Sequence, residues 1–295
     1  MSPEQTPLQR ICSDFAESRI ALAGLALLAA ILLIALLAPV ISPQDPYDLA
    51  QLDVLDSRLP PGAQSQSSGG KTYLLGTDDQ GRDMLSGIFY GLRISIVVGV
   101  ASTLAALAIG LVLGLLAAYF GGWIDTLIMR IVDIQLSFPS ILIALILLAL
   151  LGQGLDKIIV ALVAVQWAYY ARTVRGAALV ERRKEYMEAA AGLALSHARI
   201  VFRHLLPNCL PPLIVVATVQ VAAAIALEAT LSFLGLGLPI TEPSLGLLIS
   251  NGYTYMLSGK YWISFFPGVA LLLTIVSINL VADQLRDVLN PRLMR

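Results

Sequence analysis

Chemistry in this chain would have to start from very few side chains. The two histidines, His197 and His204, lie seven residues apart, so a helix would set them on similar faces. With no cysteine or carboxylate arranged beside them they make a poor metal site, and surface or headgroup-facing histidines are the plainer reading. Cys12 and Cys209 are the only cysteines. They give no disulfide framework and read as small apolar residues or free thiols. Gly69-Gly70-Lys71-Thr72 imitates the end of a phosphate-binding loop, but the first glycine of G-x-x-x-x-G-K-[ST] falls on Ser65. No Ser/His/Asp set, H-E-x-x-H or cysteine cluster is present. A membrane-embedded enzyme has no catalytic set here, and no ATP hydrolysis is expected from this chain.

The polar stretch 176–207 offers mechanical rather than catalytic chemistry. From Glu181 it reads ERRKEYMEAAAGLALSHARIVFRHLLPN. Glu181, Arg182, Arg183, Lys184, Glu185 and Glu188 make a charged first helix, with Lys184 and Glu188 an i,i+4 pair of opposite sign. Ala189-Ala190-Ala191 then gives a flat face that another backbone can approach closely. Gly192 offers a break, and Ser196 can cap a second helix. In that helix Ile200, Val201, Leu205 and Leu206 are apolar while Arg199 and Arg203 are basic, as in an amphipathic helix lying at a membrane interface. Pro207 then precedes return to the membrane. From the residues alone, a docking element and a solvated loop helix stand level.

Other polar residues are isolated. Arg130 and Asp133, three apart, can pair on one helix face. Glu228 and Gln220 are candidates for a pathway or gate, although Glu228 would equally serve to hold the segment that follows it. Gly110 and Gly114 form a small-xxx-small pair, most simply a helix-packing contact.

The elements that position these residues are membrane spans. Of 295 residues, 57% are hydrophobic and only 13% charged. A soluble domain carries roughly 25% charged residues. Mean hydropathy is +0.80. Net charge is −1, with no basic excess to suggest nucleic acid. Apolar runs at about 20–40, 93–119, 126–151, 156–175, 209–233 and 263–282 are each long enough to cross roughly 30 Å of hydrocarbon. The expectation is an all-α membrane protein of about six spans, with a kink at Pro139. The first run is too long for a signal peptide and no A-x-A site follows it.

The chain divides into a 1–19 N-terminal segment, a 20–40 first span, a 41–92 loop, a 93–285 core and a 286–295 tail. Loop 41–92 is rich in Asp, Pro, Gly and Ser and reads as flexible. Loop 234–262 carries Tyr253, Tyr255, Tyr261 and Trp262, as an interfacial belt would. With the N-terminus inside, 13 Lys and Arg fall on the cytoplasmic side and 6 on the outer side. That bias puts both termini and loop 176–207 in the cytoplasm, and loops 41–92 and 234–262 outside. No internal repeat is visible, and a lone secondary transporter, the competing class, would need a coupling-ion site that this acid-poor membrane region does not suggest.

Several motifs taken together resemble a known family. Glu188-Ala189-Ala190, followed by Ile200 and Leu206-Pro207, is similar to the EAA loop of binding-protein-dependent ABC importer permeases. The segment Leu75-Gly76-Thr77-Asp78-Asp79-Gln80-Gly81-Arg82-Asp83 resembles the LGTDxxGRD segment of the dipeptide, oligopeptide and nickel permeases of the "C" subunit type. Phe138-Pro139, Arg203–Asn208 and Glu228–Gly237 also match that group, and the likeness runs from about Ile20 to Pro291. It departs in one place: the family pattern has a glycine six residues after the Glu, where this chain has Ala194, with Gly192 two residues earlier. Either the turn moves to Gly192 or it tolerates alanine.

The resemblance implies a type I ABC importer permease in a bacterial inner membrane. It implies a heterodimer with a second, homologous permease, two ATPase subunits that bind ATP and Mg, and an extracytoplasmic substrate-binding protein. No cofactor or metal is implied in this chain. ATPase coupling would fall to Glu188, Ala189, Ala190, Gly192, Ala194, Arg183 and Arg203. Peptides are the solutes that fit best; nickel, glutathione-like compounds and sugars are also compatible.

Overall fold

The structure, a computed structural model, describes residues 7–48, 51–66 and 70–289. Gly69 of the phosphate-loop mimic and most of the 286–295 tail lie outside the described residues. The architecture is helical. A short α1 (Pro7–Ala16) leads into α2 (Arg19–Ile41), and after the 42–83 loop come α3 (Met84–Phe120), α4 (Gly122–Ser137), α5 (Ser140–Leu151) and α6 (Leu155–Glu181). α7 (Glu185–Gly192), α8 (His197–Arg199), α9 (Leu206–Phe233), α10 (Leu245–Tyr253) and α11 (Trp262–Val288) complete the chain.

Among the described residues, four helical stretches are long and apolar enough to cross a bilayer: Arg19–Ile41, Met84–Phe120, His197–Phe233 and Trp262–Val288. The α4–α5 pair makes a fifth when taken as one broken span. The expected run 156–175 corresponds to α6, whose 27 residues cover about 40 Å at ~1.5 Å per residue. Its Asp156, Lys157, Arg172 and Arg175 lower its hydropathy, and its apolar face packs inside the bundle.

The helix ends follow local chemistry. Ser18 caps α2 by accepting from the Ala21 N–H, and Asp83 caps α3 by accepting from the Ser86 N–H at 2.9 Å. At Phe138-Pro139 the expected kink is a full break, with α4 and α5 bent by 93°. Phe138 is extended (φ −96, ψ 143) because the proline ring disfavours helical geometry in the residue before it. α3 therefore begins nine residues before the expected 93, where an N-cap is available rather than where hydropathy rises.

α3 and α6 form the tightest helix pair. A Cβ built on Gly110 would lie 2.5 Å from the Trp167 carbonyl oxygen, and one on Gly114 would lie 2.6 Å from that of Ala171. The small-xxx-small spacing thus packs α3 on α6 within this chain. Gly110→Ala is expected to destabilise the fold by about 1–3 kcal/mol, the usual cost of overpacking. A melting temperature equal to wild type in detergent would contradict this contact.

The described residues of loop 42–83 do not form the flexible segment its composition suggests; Ser67, Ser68 and Gly69 lie outside them. Ala63–Gln64 and Thr72–Tyr73 pair as an antiparallel two-residue ladder. Asp56 is buried and accepts from the Ser65 hydroxyl (2.6 Å), the Gln66 N–H (2.6 Å) and the Tyr73 hydroxyl (2.9 Å). Burial, then the hydrogen bond to Asp56, push the Tyr73 phenol up to about 12. The 75–83 motif is the centre of this structure. Gly76 and Gly81 turn the chain at φ +80, each with backbone where a Cβ would stand. Asp78 and Arg82 form an ion pair of 2.6 Å with side chains 0% and 2% exposed. Arg82 Nη1 also donates to the Ile240 carbonyl (3.1 Å), and Trp262 Nε1 donates to the Thr77 carbonyl (3.2 Å). Trp262 is buried, so it is no part of an interfacial belt; Tyr253 and Tyr261 remain exposed. The motif latches the loop to the segment before α10 and to the start of α11.

Candidate coupling loop and translocation groove

The stretch expected as a loop at 176–207 is mostly helix. α6 continues to Glu181, α7 follows after a turn at 182–184, and the second helix does not stop at Pro207. Residues 197–233 run on as one helix whose Ile200–Leu205 portion is π-helical. The Leu206 N–H bonds the Val201 carbonyl, five residues back. Pro207 has no N–H for the Arg203 carbonyl and would crowd it. The wider π turn lets the helix pass the proline without breaking. The expected interface helix is therefore the extension of a membrane span.

α7 has two faces. Met187 and Ala190, three apart, are buried in the cluster formed by Tyr170, Val174, Ile200 and Leu205. Glu188 and Ala189 are exposed, as are Gly192, Arg183 and Arg203. Of the expected Glu188-Ala189-Ala190 contact face, Ala190 turns inward and anchors α7, while Glu188 and Ala189 point out. Leu193, not anticipated from sequence, is 74% exposed beside them. An apolar residue one turn after a small, acidic face was the available signal. Lys184 pairs with Glu181 at 2.7 Å rather than with Glu188. Glu181 also accepts from the Tyr186 hydroxyl, and Asn208 Nδ2 donates to that hydroxyl at 3.0 Å. Burial, then Glu181, push the Tyr186 phenol up to about 12. This network ties the start of α7 to α6 and α9.

The turn after α7 lies at Ala194, not Gly192. Gly192 ends the helix, whereas Ala194 has φ +52. The Leu195 N–H bonds the Ala190 carbonyl at 3.4 Å, which places Ala194 at the left-handed position of a Schellman-type cap. An L-residue there costs roughly 1–2 kcal/mol. Ala194→Gly should stabilise α7 by about 0.5–1 kcal/mol after the entropy cost of glycine. Slower amide exchange across Glu185–Gly192 would register this; unchanged or faster exchange would contradict it.

A cavity of about 780 Å³ opens between α6, α9 and α11. Pro211, Pro212, Val215, Val216 and Val219 form its α9 wall, with Asn208 and Gln220 at the two ends. Glu181, Lys184, Asp283 and Arg286 supply the charged groups. Gln220 thus faces open space, while its backbone carbonyl accepts from Gln166 Nε2 at 3.1 Å.

Glu228 does not line this cavity. It is fully buried and accepts from the Ser95 hydroxyl (3.0 Å) and the Ser232 hydroxyl (2.8 Å). A carboxylate cut off from water needs such donors, and here they join α3 to α9. Arg130 and Asp133 do not pair either. Asp133 bonds Arg172 across to α6, and Asp125 bonds Arg175 of the same helix. Two ion pairs between α4 and α6 replace the one expected within α4. His197 bonds the Tyr119 hydroxyl, and His204 lies against the Tyr186 ring, so the two histidines serve different contacts.

The described residues form a multi-span helical bundle with an outward-facing acidic helix next to an open groove, and solved ABC importer permeases share this fold. An inward-facing structure of the MetNI methionine ABC transporter matches with a TM-score of 0.57 at 22% identity, over 70% of this chain and 98% of that one. An amino acid ABC transporter matches with a TM-score of 0.53 at 13% identity, over 68% and 94%. Residues 110–295 match the binding-protein-dependent transport system inner membrane component family, and residues 6–61 match the N-terminal TM domain of oligopeptide transport permease C. The chain belongs to this family of transport permeases and is a multi-pass protein of the bacterial inner membrane.

Its relatives carry peptide names. The dipeptide transport system permease protein DppC of Haemophilus influenzae is 38% identical over 98% of this chain and 96% of its own length. The di/tripeptide transport system permease protein DppC of Pseudomonas aeruginosa is 37% identical over 98% and 93%. The oligopeptide transport system permease protein OppC of Bacillus subtilis is 36% identical over 95% and 88%.

Proposed function

We propose that this chain is the permease subunit of an ATP-driven importer of short peptides. The observation that carries the reading is near full-length likeness to permeases named for dipeptides, di/tripeptides and oligopeptides. In this reading a binding protein delivers the peptide from outside and a second, homologous permease completes the pathway. Two ATPase subunits bind ATP and Mg, and this chain holds no cofactor of its own. In this reading loop 176–207 and both termini face the cytoplasm and the 42–83 structure and the α10 segment face outside, which the excess of Lys and Arg on the inner side supports.

Coupling falls to the outer face of α7. Glu188, Ala189, Gly192 and Leu193 offer charge for register, little bulk for close approach and one apolar knob. Met187 and Ala190 hold this helix against α6 and the π turn, so a push on α7 reaches α9 directly. Arg183 and Arg203 flank the face, and the Ala194 turn sets its end. The Arg172–Asp133 pair, with side chains 52% and 61% exposed, lies on a surface that lipid would cover poorly. That favours a wet pathway or a subunit contact at α4 and α6.

The test is uptake of radiolabelled dipeptides and tripeptides by a strain lacking this chain, with and without the gene restored. Uptake that depends on the chain supports the reading. A strain that loses nickel or sugar uptake while importing peptides normally would replace it.

A further inference from the structure

The large cavity reaches Glu181 at the end of α6; a smaller one lies at the start of that helix. Tyr47, Arg93, Ile94, Val97, Leu155 and Glu242 line about 270 Å³ where loop 42–83, α3, α6 and the segment before α10 meet. Arg93 and Glu242 bring opposite charges to this space. No ion pair or hydrogen bond engages either side chain among the described residues. The Tyr47 ring, 44% exposed, packs edge-on against Tyr90 at 5.4 Å beside them. A half-wet aromatic ring suits the headgroup level of a bilayer.

An apolar stripe leads away from this cavity along α3. Arg93, Val97, Val100, Leu104, Leu107 and Leu111 recur every three or four residues and so share one helix face. Val97, Val100 and Leu104 are exposed. From Val100 to Leu111 the stripe walls a groove of about 240 Å³, with α9 as the other wall. The polar side chains in that lining are Thr103 and Thr218, whose hydroxyls donate to Gln166 Oε1 and to the Val215 carbonyl. The groove is not part of the large cavity. Leu210, Ala217 and Val221 line the groove, and Pro212, Val215 and Val219 line the cavity. At ~3.6 residues per turn these two sets stand about half a turn apart on α9. From Val97 to Leu107 the stripe covers about 15 Å at ~1.5 Å per residue, the depth of one leaflet of a hydrocarbon core roughly 30 Å thick.

A cation, an anion and a dry groove one leaflet deep match a phosphate, an ammonium and an acyl chain. We propose that this outer face of α3 binds a phospholipid with an ethanolamine headgroup. Arg93 takes the phosphate, which suits a guanidinium. Glu242 takes the ammonium and Tyr47 borders the headgroup. One acyl chain runs along Val97 into the groove between α3 and α9. The lipid joins α3 to the segment before α10, which Arg82 also holds through the Ile240 carbonyl. In the orientation given above it sits in the outer leaflet, on the side of α9 away from the large cavity.

The test is native mass spectrometry of the complete transporter in detergent, titrated with dipalmitoyl phosphatidylethanolamine or with dipalmitoyl phosphatidylglycerol, which lacks the ammonium. A saturable ethanolamine-lipid adduct is expected, held about tenfold more tightly than the glycerol lipid, as for one hydrogen bond to a charged group. Glu242→Gln should weaken the ethanolamine lipid about tenfold and leave the glycerol lipid unchanged, whereas Arg93→Gln should weaken both about tenfold. Neither side chain has a protein partner to lose, so the fold does not depend on them. Leu104→Trp, which fills the groove and keeps both charges, should weaken both lipids. No saturable adduct, as when a helix of another subunit occupies the groove, would overturn the site. So would equal affinity for the two lipids, or variants that bind as wild type. The measurement uses no peptide, so its failure leaves the peptide reading standing, and failed peptide uptake leaves the lipid site standing.

Discussion

Arg82→Met is expected to cost the fold about 3–5 kcal/mol, the usual penalty for removing one partner of a buried ion pair. Methionine fills similar space but leaves the Asp78 carboxylate buried without its cation. Asp78 would keep the Gln80 and Arg82 backbone N–H groups, at 2.8 and 2.9 Å. Those bonds soften the loss without cancelling it. The Ile240 carbonyl would also lose its donor, so the segment before α10 would loosen with the loop. Asp78→Asn together with Arg82→Met should recover much of the stability, because neither charge is then stranded. A double-mutant cycle on thermal melting in detergent measures this. Simple additivity of the two single losses would show that the pair does not act as a unit.

Glu188→Lys is expected to reduce peptide uptake roughly tenfold or more while the protein still inserts and assembles. The magnitude follows from reversing a charge at a small interface centre, where single residues carry about 2 kcal/mol or more. Glu188 also lies in the first turn of α7, where an acid favours the helix by about 0.3–1 kcal/mol. That local effect is too small to account for a tenfold loss, and Glu188→Gln isolates it. Glu188→Gln should retain most uptake, since it removes the charge without opposing it. Normal uptake by Glu188→Lys would move coupling off this face. Leu193→Asp, with a similar loss, would extend the face to the exposed apolar residue.

The motifs divided unequally between function and framework. Leu75–Asp83 marked the family in the sequence, yet its glycines, threonine and ion pair hold three segments of the chain together. Glu188-Ala189-Ala190 read as one contact surface, but helical geometry sends Ala190 inward with Met187 while Glu188 and Ala189 face out. Asp133 had an obvious neighbour in Arg130 by spacing, and its partner proved to be Arg172, 39 residues away. Each difference has one cause: spacing along a helix states which residues share a face but not what lies opposite that face.

What could be read without a structure was local. A run of about 20 apolar residues sets a span, because every backbone polar group must be satisfied within the helix when water is absent. Pro139 marks its break, and the family glycine position marks a left-handed turn that Ala194 adopts at a cost. The tertiary structure alone decided the order in the described part of loop 42–83, the burial of Trp262 and Glu228, and the passage of one helix from His197 to Phe233. Those outcomes depend on donors and surfaces from distant segments: Thr77 for Trp262, Ser95 for Glu228, and the α6 face for α7. Composition carries no record of such meetings, which is why the described part of a loop rich in Ser, Gly and Pro could be ordered and a membrane acid could be held by serine hydroxyls.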